Sequence, residues 1–157
     1  MNVLVTALHD LRAGIDRSLA PAAPVLEQPT VFAHCNDIPP AAWRWQNFRP
    51  AEIACRGDGS IRLVPAALDR LQALRGAVDR PLRINSAYRS PLHNARVGGA
   101  PKSRHKIGDA FDISLNNIPD RDALRRAAEA VGFSGFGLYR TFLHVDCGPS
   151  RTWGSWS

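Results

Sequence analysis

The sequence predicts an α+β domain, a small and mainly antiparallel sheet flanked by helices. Apolar residues at helical spacing from Pro65 to Val78 mark one clear helix. Strand-like alternation appears in "PLRINSAYRS" and "DAFDISL", and "GFGLYRTFLHVDCG" reads as two short strands around a turn. The order of helix, strand, loop, strand, helix, strand, strand suits helices packed on an antiparallel sheet.

At 157 residues the chain accommodates one compact domain and an appendage. Hydrophobic residues at 45% and charged residues at 22% exclude a disordered chain, and no run approaches the roughly eighteen apolar residues of a membrane span. The net charge of +6 and a pI near 10 favour an anionic partner. Nucleic acid fits poorly, because the basic residues are scattered and form no cluster with stacking aromatics. Cys35, Cys55 and Cys147 have no CxxC spacing, which points to structural thiols in a reducing compartment rather than a disulfide framework or a cysteine zinc site.

In chain order, Val3, Leu4, Ala7, Leu8, Leu11, Ile15 and Leu19 form one stripe of an amphipathic helix. This helix packs on the domain behind it or docks the chain onto another protein. Its start lacks a basic cluster and an uninterrupted apolar core, so it is a poor secretory signal. Pro21, Pro24 and Pro29 then make residues 20 to about 40 a linker or extended strap. The division expected is residues 1–46 as helix and strap, and 47–157 as the main domain.

Pro50, Ala51 and Glu52 suit a short helix, and "RGDGS" at 56–60 is a turn whose RGD triplet carries no adhesion argument. Pro65 fits the first turn of the long helix. Leu82 and Ile84 alternate with Arg83 and Asn85. "PLHNARVGGAPKSRHKIG" then reads as a long loop, and such a loop inside a compact domain usually has a functional reason. Asp120 is a candidate N-cap for a helix over Arg121 to Val131.

The chemistry concentrates in "SRHKIGDAFDI". His105 and Asp112 stand seven positions apart, and among the five histidines only His105 and His144 fall beside strands with a carboxylate in register. Zinc enzymes that hydrolyse amides commonly offer three ligands from His, Asp or Glu and leave a fourth position for water. The competing reading is a polar turn leading into a buried strand, with His144 a hydrogen-bonded core histidine.

"INSAYRSPLHNARVGGAPKSRHKIGDAFDI" together with "GFGLYRTFLHVDCGPSRTW" resembles the zinc peptidases of the M15 family, the D-alanyl-D-alanine carboxypeptidase and peptidoglycan endopeptidase group that includes many phage lysins. The resemblance runs from about Phe48 to Trp153. It rests on three linked elements in the family's order: the strand ending in Tyr-Arg-Ser, the Ser-x-His-x-x-Gly-x-Ala-x-Asp segment, and the late His-Val-Asp. It implies a zinc site in a cleft on the sheet, with Zn2+ bound by His105, Asp112 and His144. It also implies that Arg89 holds a substrate carboxylate or the oxyanion that forms on attack, a task suited to a permanently charged fork of donors. Ser103 matches a residue that hydrogen-bonds substrate in relatives, and Tyr139 and Trp153 match cleft aromatics. Gly108 would let the loop turn tightly, and Ala110 would leave room on the face that carries Asp112.

One position departs from the pattern. Many relatives carry Glu or Asp three residues before the last zinc histidine, and here Thr141 stands there. A threonine hydroxyl cannot take a proton from water at neutral pH. Asp146, on the strand face of His144, is then either the acid/base or a group that orients a ligand histidine. Asp109 is a third candidate, but alternation points it away from Asp112.

The expectation is a zinc metallopeptidase that hydrolyses an amide bond in the peptidoglycan stem peptide or cross-link. It would be made in the cytoplasm and reach the wall after lysis, or ride on a phage or phage-like tail through residues 1–24. The alternative is a zinc-containing wall-binding or virion module that cleaves weakly or not at all.

Overall fold

The structure, a computed structural model, describes residues 25–157. The helix expected over Val3–Leu19 lies outside the described residues. The architecture is α+β: a five-stranded sheet of order β3-β4-β6-β5-β7 and a separate two-stranded ribbon of β1 and β2. The strands are β1 (Thr30–Phe32), β2 (Ile61–Leu63), β3 (Ile84–Ser86), β4 (Ala110–Ser114), β5 (Gly135–Leu138), β6 (Phe142–Asp146) and β7 (Arg151–Gly154). The helices are α1 (Pro50–Ile53), α2 (Pro65–Val78), α3 (Pro91–Arg96) and α4 (Arg121–Ala130). Among the described residues no helix is long and apolar enough to cross a membrane.

Helix α2 spans the predicted residues, with Pro65 at its first position and Leu68, Leu71 and Leu74 buried along one stripe. Asp120 caps α4 by accepting a hydrogen bond from Ala123 N at 2.8 Å. Helices α2 and α4 pack together over the sheet, and α4 carries the chain from β4 across β6 to β5.

The sheet separates two kinds of side chain by strict alternation. Phe111 and Ile113 of β4, Leu143 and Val145 of β6 and Phe136 of β5 enter one hydrophobic core with α2 and α4. The intervening residues Asp112, His144 and Asp146 share the opposite face, because Asp112 pairs with His144 and Ala110 with Asp146 in register. All five residues of β4 are buried, so its second face is covered as well, by the site rather than by apolar packing.

Three features differ from the expectations. From residue 30 onward the expected strap is packed against the domain, while residues 20–24 lie outside the described residues. Residues 30–32 pair with β2, two 3-10 turns follow at Cys35–Asp37 and Pro40–Ala42, and Cys35, Ile38, Ala42 and Trp45 join the core. Pro40, at the first position of the second turn, loses no backbone hydrogen bond there. The long loop contains α3, capped by Ser90, and a 3-10 turn at Arg104–Lys106. Strand β7 was not expected, and it pairs parallel to β5 at the sheet edge.

Candidate metal centre

His105 arrives on the 3-10 turn after the loop, Asp112 on β4 and His144 on β6. Gly108, with φ of +86°, turns the chain from His105 into β4, and a Cβ there would meet the Arg62 carbonyl at 2.6 Å. The three side chains are all buried and converge. His105 Nε2 lies 3.2 Å from Asp112 Oδ1 and 3.2 Å from His144 Nδ1, and His144 Nδ1 lies 2.8 Å from Asp112 Oδ1.

The outer edges of the rings decide what these atoms are. His105 Nδ1 is 2.6 Å from the Ala87 carbonyl, which can only accept, so Nδ1 carries a proton and Nε2 is a lone pair when the ring is neutral. His144 Nε2 is 3.0 Å from Asp146 Oδ2, so by the same argument Nδ1 presents the lone pair. Two imidazole lone pairs and one carboxylate oxygen therefore face one another with no donor among them. Such a trio needs a shared proton or a cation. A tetrahedral zinc with ligands at about 2.0–2.1 Å sets its ligand atoms roughly 3.3 Å apart, close to the observed 2.8–3.2 Å. The donor set thus fits zinc in both chemistry and spacing.

Burial works to lower the pKa of His144, but hydrogen bonds and charge from Asp112 and Asp146 raise it above its ordinary value. Burial works to raise Asp112, yet when His105 and His144 take up a proton on their inner nitrogens, their hydrogen bonds and charge hold its carboxyl well below the usual range. A proton held between opposed groups is what a metal displaces.

Behind the donors, each ligand is braced. Arg89 donates from Nη2 to Asp112 Oδ2 at 2.8 Å and from Nε to Ser86 Oγ at 2.8 Å, leaving Asp112 Oδ1 for the centre. Asp146 is fully buried on the far edge of the His144 ring. Its oxygens accept from Gly148 N at 2.7 Å and from Arg151 Nη1 at 3.0 Å and Nη2 at 2.6 Å. An acid/base would have to face the donor atoms, and Asp146 faces away from them. This geometry suits a group that orients the ligand histidine, one of the two roles the sequence left open for Asp146. Arg104 engages Asp109, and Thr141 is exposed, with its carbonyl accepting from Leu115 N.

A cleft of about 440 Å³ opens over the centre. Its lining is cationic through Arg89, Lys102, Arg104 and Arg151 and aromatic through Tyr139, Phe142 and Trp153, with Ser103, Gly99 and Ala100 completing it. Asp112 is the carboxylate in that lining. The arrangement brings His105, Asp112, His144, Arg89 and Ser103 to one cleft and adds Lys102, Arg104 and Arg151. Arg151 and Trp153 alternate in "RTW", a signal for β7 that was present but only four residues long.

Comparison with known proteins places these observations. A zinc D-Ala-D-Ala carboxypeptidase of Streptomyces albus G is 36% identical over 123 residues, covering 68% of this chain and 48% of that protein. The peptidoglycan L,D-endopeptidase MepK of Escherichia coli K12 is 34% identical over 98 residues, or 57% of this chain and 53% of the relative. A probable peptidoglycan L,D-endopeptidase MepK of Haemophilus influenzae is 33% identical over 90 residues, 53% of this chain and 48% of the relative. The chain thus spans about half the length of these curated relatives. The family model for peptidase M15 matches residues 46–147, a range that contains all three converging ligands, and the chain belongs to the M15 peptidase family.

Proposed function

We propose that this chain is a zinc-dependent peptidase that hydrolyses an amide bond in the stem peptide or cross-link of peptidoglycan. The observation that carries the reading is the convergence of two imidazole lone pairs and a carboxylate oxygen at 2.8–3.2 Å beneath an open cleft. The names of the similar proteins supply the substrate class, since one is a zinc D-Ala-D-Ala carboxypeptidase and the other a peptidoglycan L,D-endopeptidase. Arg89 and Lys102 in the cleft lining also suit peptides that carry free carboxylates.

Zinc, when bound, supplies a Lewis acid that polarises a scissile carbonyl and makes water nucleophilic near neutral pH. The chain's residues do the rest. The Ala87 carbonyl and the Asp146 carboxylate hold the outer protons of His105 and His144 and so fix both ring tautomers. Arg89 keeps Nη1 free among the described residues, so its fork can hold a substrate carboxylate or the developing oxyanion while Nη2 braces Asp112. Ser103 offers a hydroxyl at the cleft lining, and Tyr139, Phe142 and Trp153 limit water around the scissile bond.

Among the described residues the cleft lining holds no second carboxylate to take a proton from the attacking water. That observation favours the second reading, a wall-binding or virion module with the same site and little turnover. Incubating the zinc-loaded chain with purified peptidoglycan separates the two. Release of new amino groups, lost in His105→Ala with the fold retained, supports the peptidase; bound zinc with no release at high protein supports the module. Delivery to the wall at lysis, or on a phage-like particle through residues 1–24, is part of the proposal. Particle association that survives deletion of residues 1–24 would remove the second route.

A further inference from the structure

We propose that Arg151, on the edge strand β7, is a positioning residue for the metal centre, acting through Asp146 to hold the His144 imidazole with Nδ1 toward the metal. The inference rests on the zinc reading above and gives a role to a residue beyond position 147, the last residue matched by the family model. Asp146 is fully buried, and its carboxylate meets four hydrogens: His144 Nε2 at 3.0 Å, Gly148 N at 2.7 Å, and the two forks of Arg151 at 3.0 and 2.6 Å. Half of those contacts, and the only charge among them when His144 is neutral, come from Arg151. A forked guanidinium also fixes the plane of the carboxylate, and that plane aims Oδ2 at the ring.

The surroundings are shaped to this pair. Gly135 of β5 stands opposite both Asp146 and Arg151 in register, and a Cβ there would lie within 2.5 Å of both carboxylate oxygens and of Arg151 Nη1. A Cβ on Gly148 would meet Asp146 Oδ1 at 2.8 Å and Arg151 Nη1 at 3.1 Å. Two residues along β7, Trp153 lies against the His144 ring with centroids 5.3 Å apart, and the Arg151 guanidinium sits 4.9 Å over the Trp153 ring. Gly137 makes that approach feasible, since a Cβ would meet the indole at 2.7 Å. Strand β7 therefore braces His144 twice, at its Nε2 edge through Asp146 and by the tilted packing of the Trp153 ring against it.

Arg151 also lines the cleft, with its side chain 39% exposed, so the competing role is direct substrate binding. The test is zinc affinity by competition with a chromophoric chelator, together with steady-state hydrolysis at saturating zinc, on the full chain. Arg151→Met should weaken zinc binding about 10–100-fold, as loss of an outer partner of a ligand histidine does, with KM nearly unchanged. Arg151→Lys, which keeps the charge without the fork, should lose less. In combination with Asp146→Asn, the Arg151→Met loss should fail to add, because both act on one contact. Should Arg151→Met not fold, Arg151→Lys carries the test by itself. Wild-type zinc affinity in the variants with a raised KM would overturn the inference and leave the zinc reading standing; a wild-type chain that takes up no zinc would overturn both.

Discussion

Replacing Gly135 by alanine adds one methyl group at the most crowded point behind the metal centre. The new Cβ would sit within 2.5 Å of both Asp146 oxygens and of Arg151 Nη1. The carboxylate has nowhere to withdraw, because Gly148 N holds Oδ1 at 2.7 Å and Arg151 Nη2 and His144 Nε2 hold Oδ2 at 2.6 and 3.0 Å. The methyl must therefore break one of these bonds or push β5 away from its neighbours. Overpacking costs about 1–3 kcal/mol and a lost hydrogen bond to a charged group about 1.5–3 kcal/mol, so a net loss of about 2–4 kcal/mol is expected. For a chain of this size that lowers Tm by roughly 5–15 °C. Zinc affinity should fall with it, as His144 loses its brace. Gly76→Ala is the internal control: it lies in α2, where an added methyl would meet nothing within 4 Å, and should stabilise by about 0.5–1 kcal/mol. Thermal unfolding of the zinc-free proteins by circular dichroism compares the two. Equal melting temperatures for Gly135→Ala and the parent chain would refute the packing described around Asp146.

Asp146→Asn separates orientation from acid/base catalysis: zinc affinity should drop, and activity should largely return at saturating zinc, whereas a hundredfold fall in kcat with zinc affinity intact would assign Asp146 to proton transfer. Arg89→Lys should raise KM and weaken zinc binding together, because one ammonium cannot reach Ser86, Asp112 and substrate at once; chelator competition and steady-state kinetics read the two effects. The zinc-free chain should have a pH optimum of stability. His144, raised above its ordinary 6.5, contributes stability that is complete below pH 6.5 and lost as pH rises through its folded value. Asp112 and Asp146, lowered from 3.8, contribute stability present above that value and lost as pH falls toward their folded values. Urea unfolding with chelator should therefore peak between about pH 4 and 6.5, and excess zinc should abolish the decline on the alkaline side.

The helix over Pro65–Val78 was legible because a helix-compatible proline starts it and one apolar stripe runs its length. Strands β4 and β6 were legible for a related reason: Phe111, Ile113, Leu143 and Val145 alternate with polar residues that a sheet face must then carry. Those polar residues proved to be Asp112, His144 and Asp146. Alternation could place Asp146 on the face of His144 but could not say which edge of the ring it meets, since that depends on the rotation of the ring and on Arg151. The pairing of Asp112 with His144, 32 residues away, is a long-range register that local pattern does not encode. Strand β7 was not legible because four residues after a Gly-Pro-Ser turn are too few to show a period, and its partner is reached only through the assembled sheet. The part of the expected strap from residue 30 onward packs instead, because Pro40 serves as the first residue of a short turn and the apolar Cys35, Ile38 and Ala42 between the prolines reach the core.

The convergence of three lone-pair donors on one zinc ion is tested most directly by metal stoichiometry. The full chain, dialysed against micromolar zinc and analysed by mass spectrometry of the metal, should retain one zinc per chain, and His105→Ala and Asp112→Ala should retain none while keeping the circular dichroism of the parent. A parent chain that retains no zinc, or variants that retain it fully, would contradict the account.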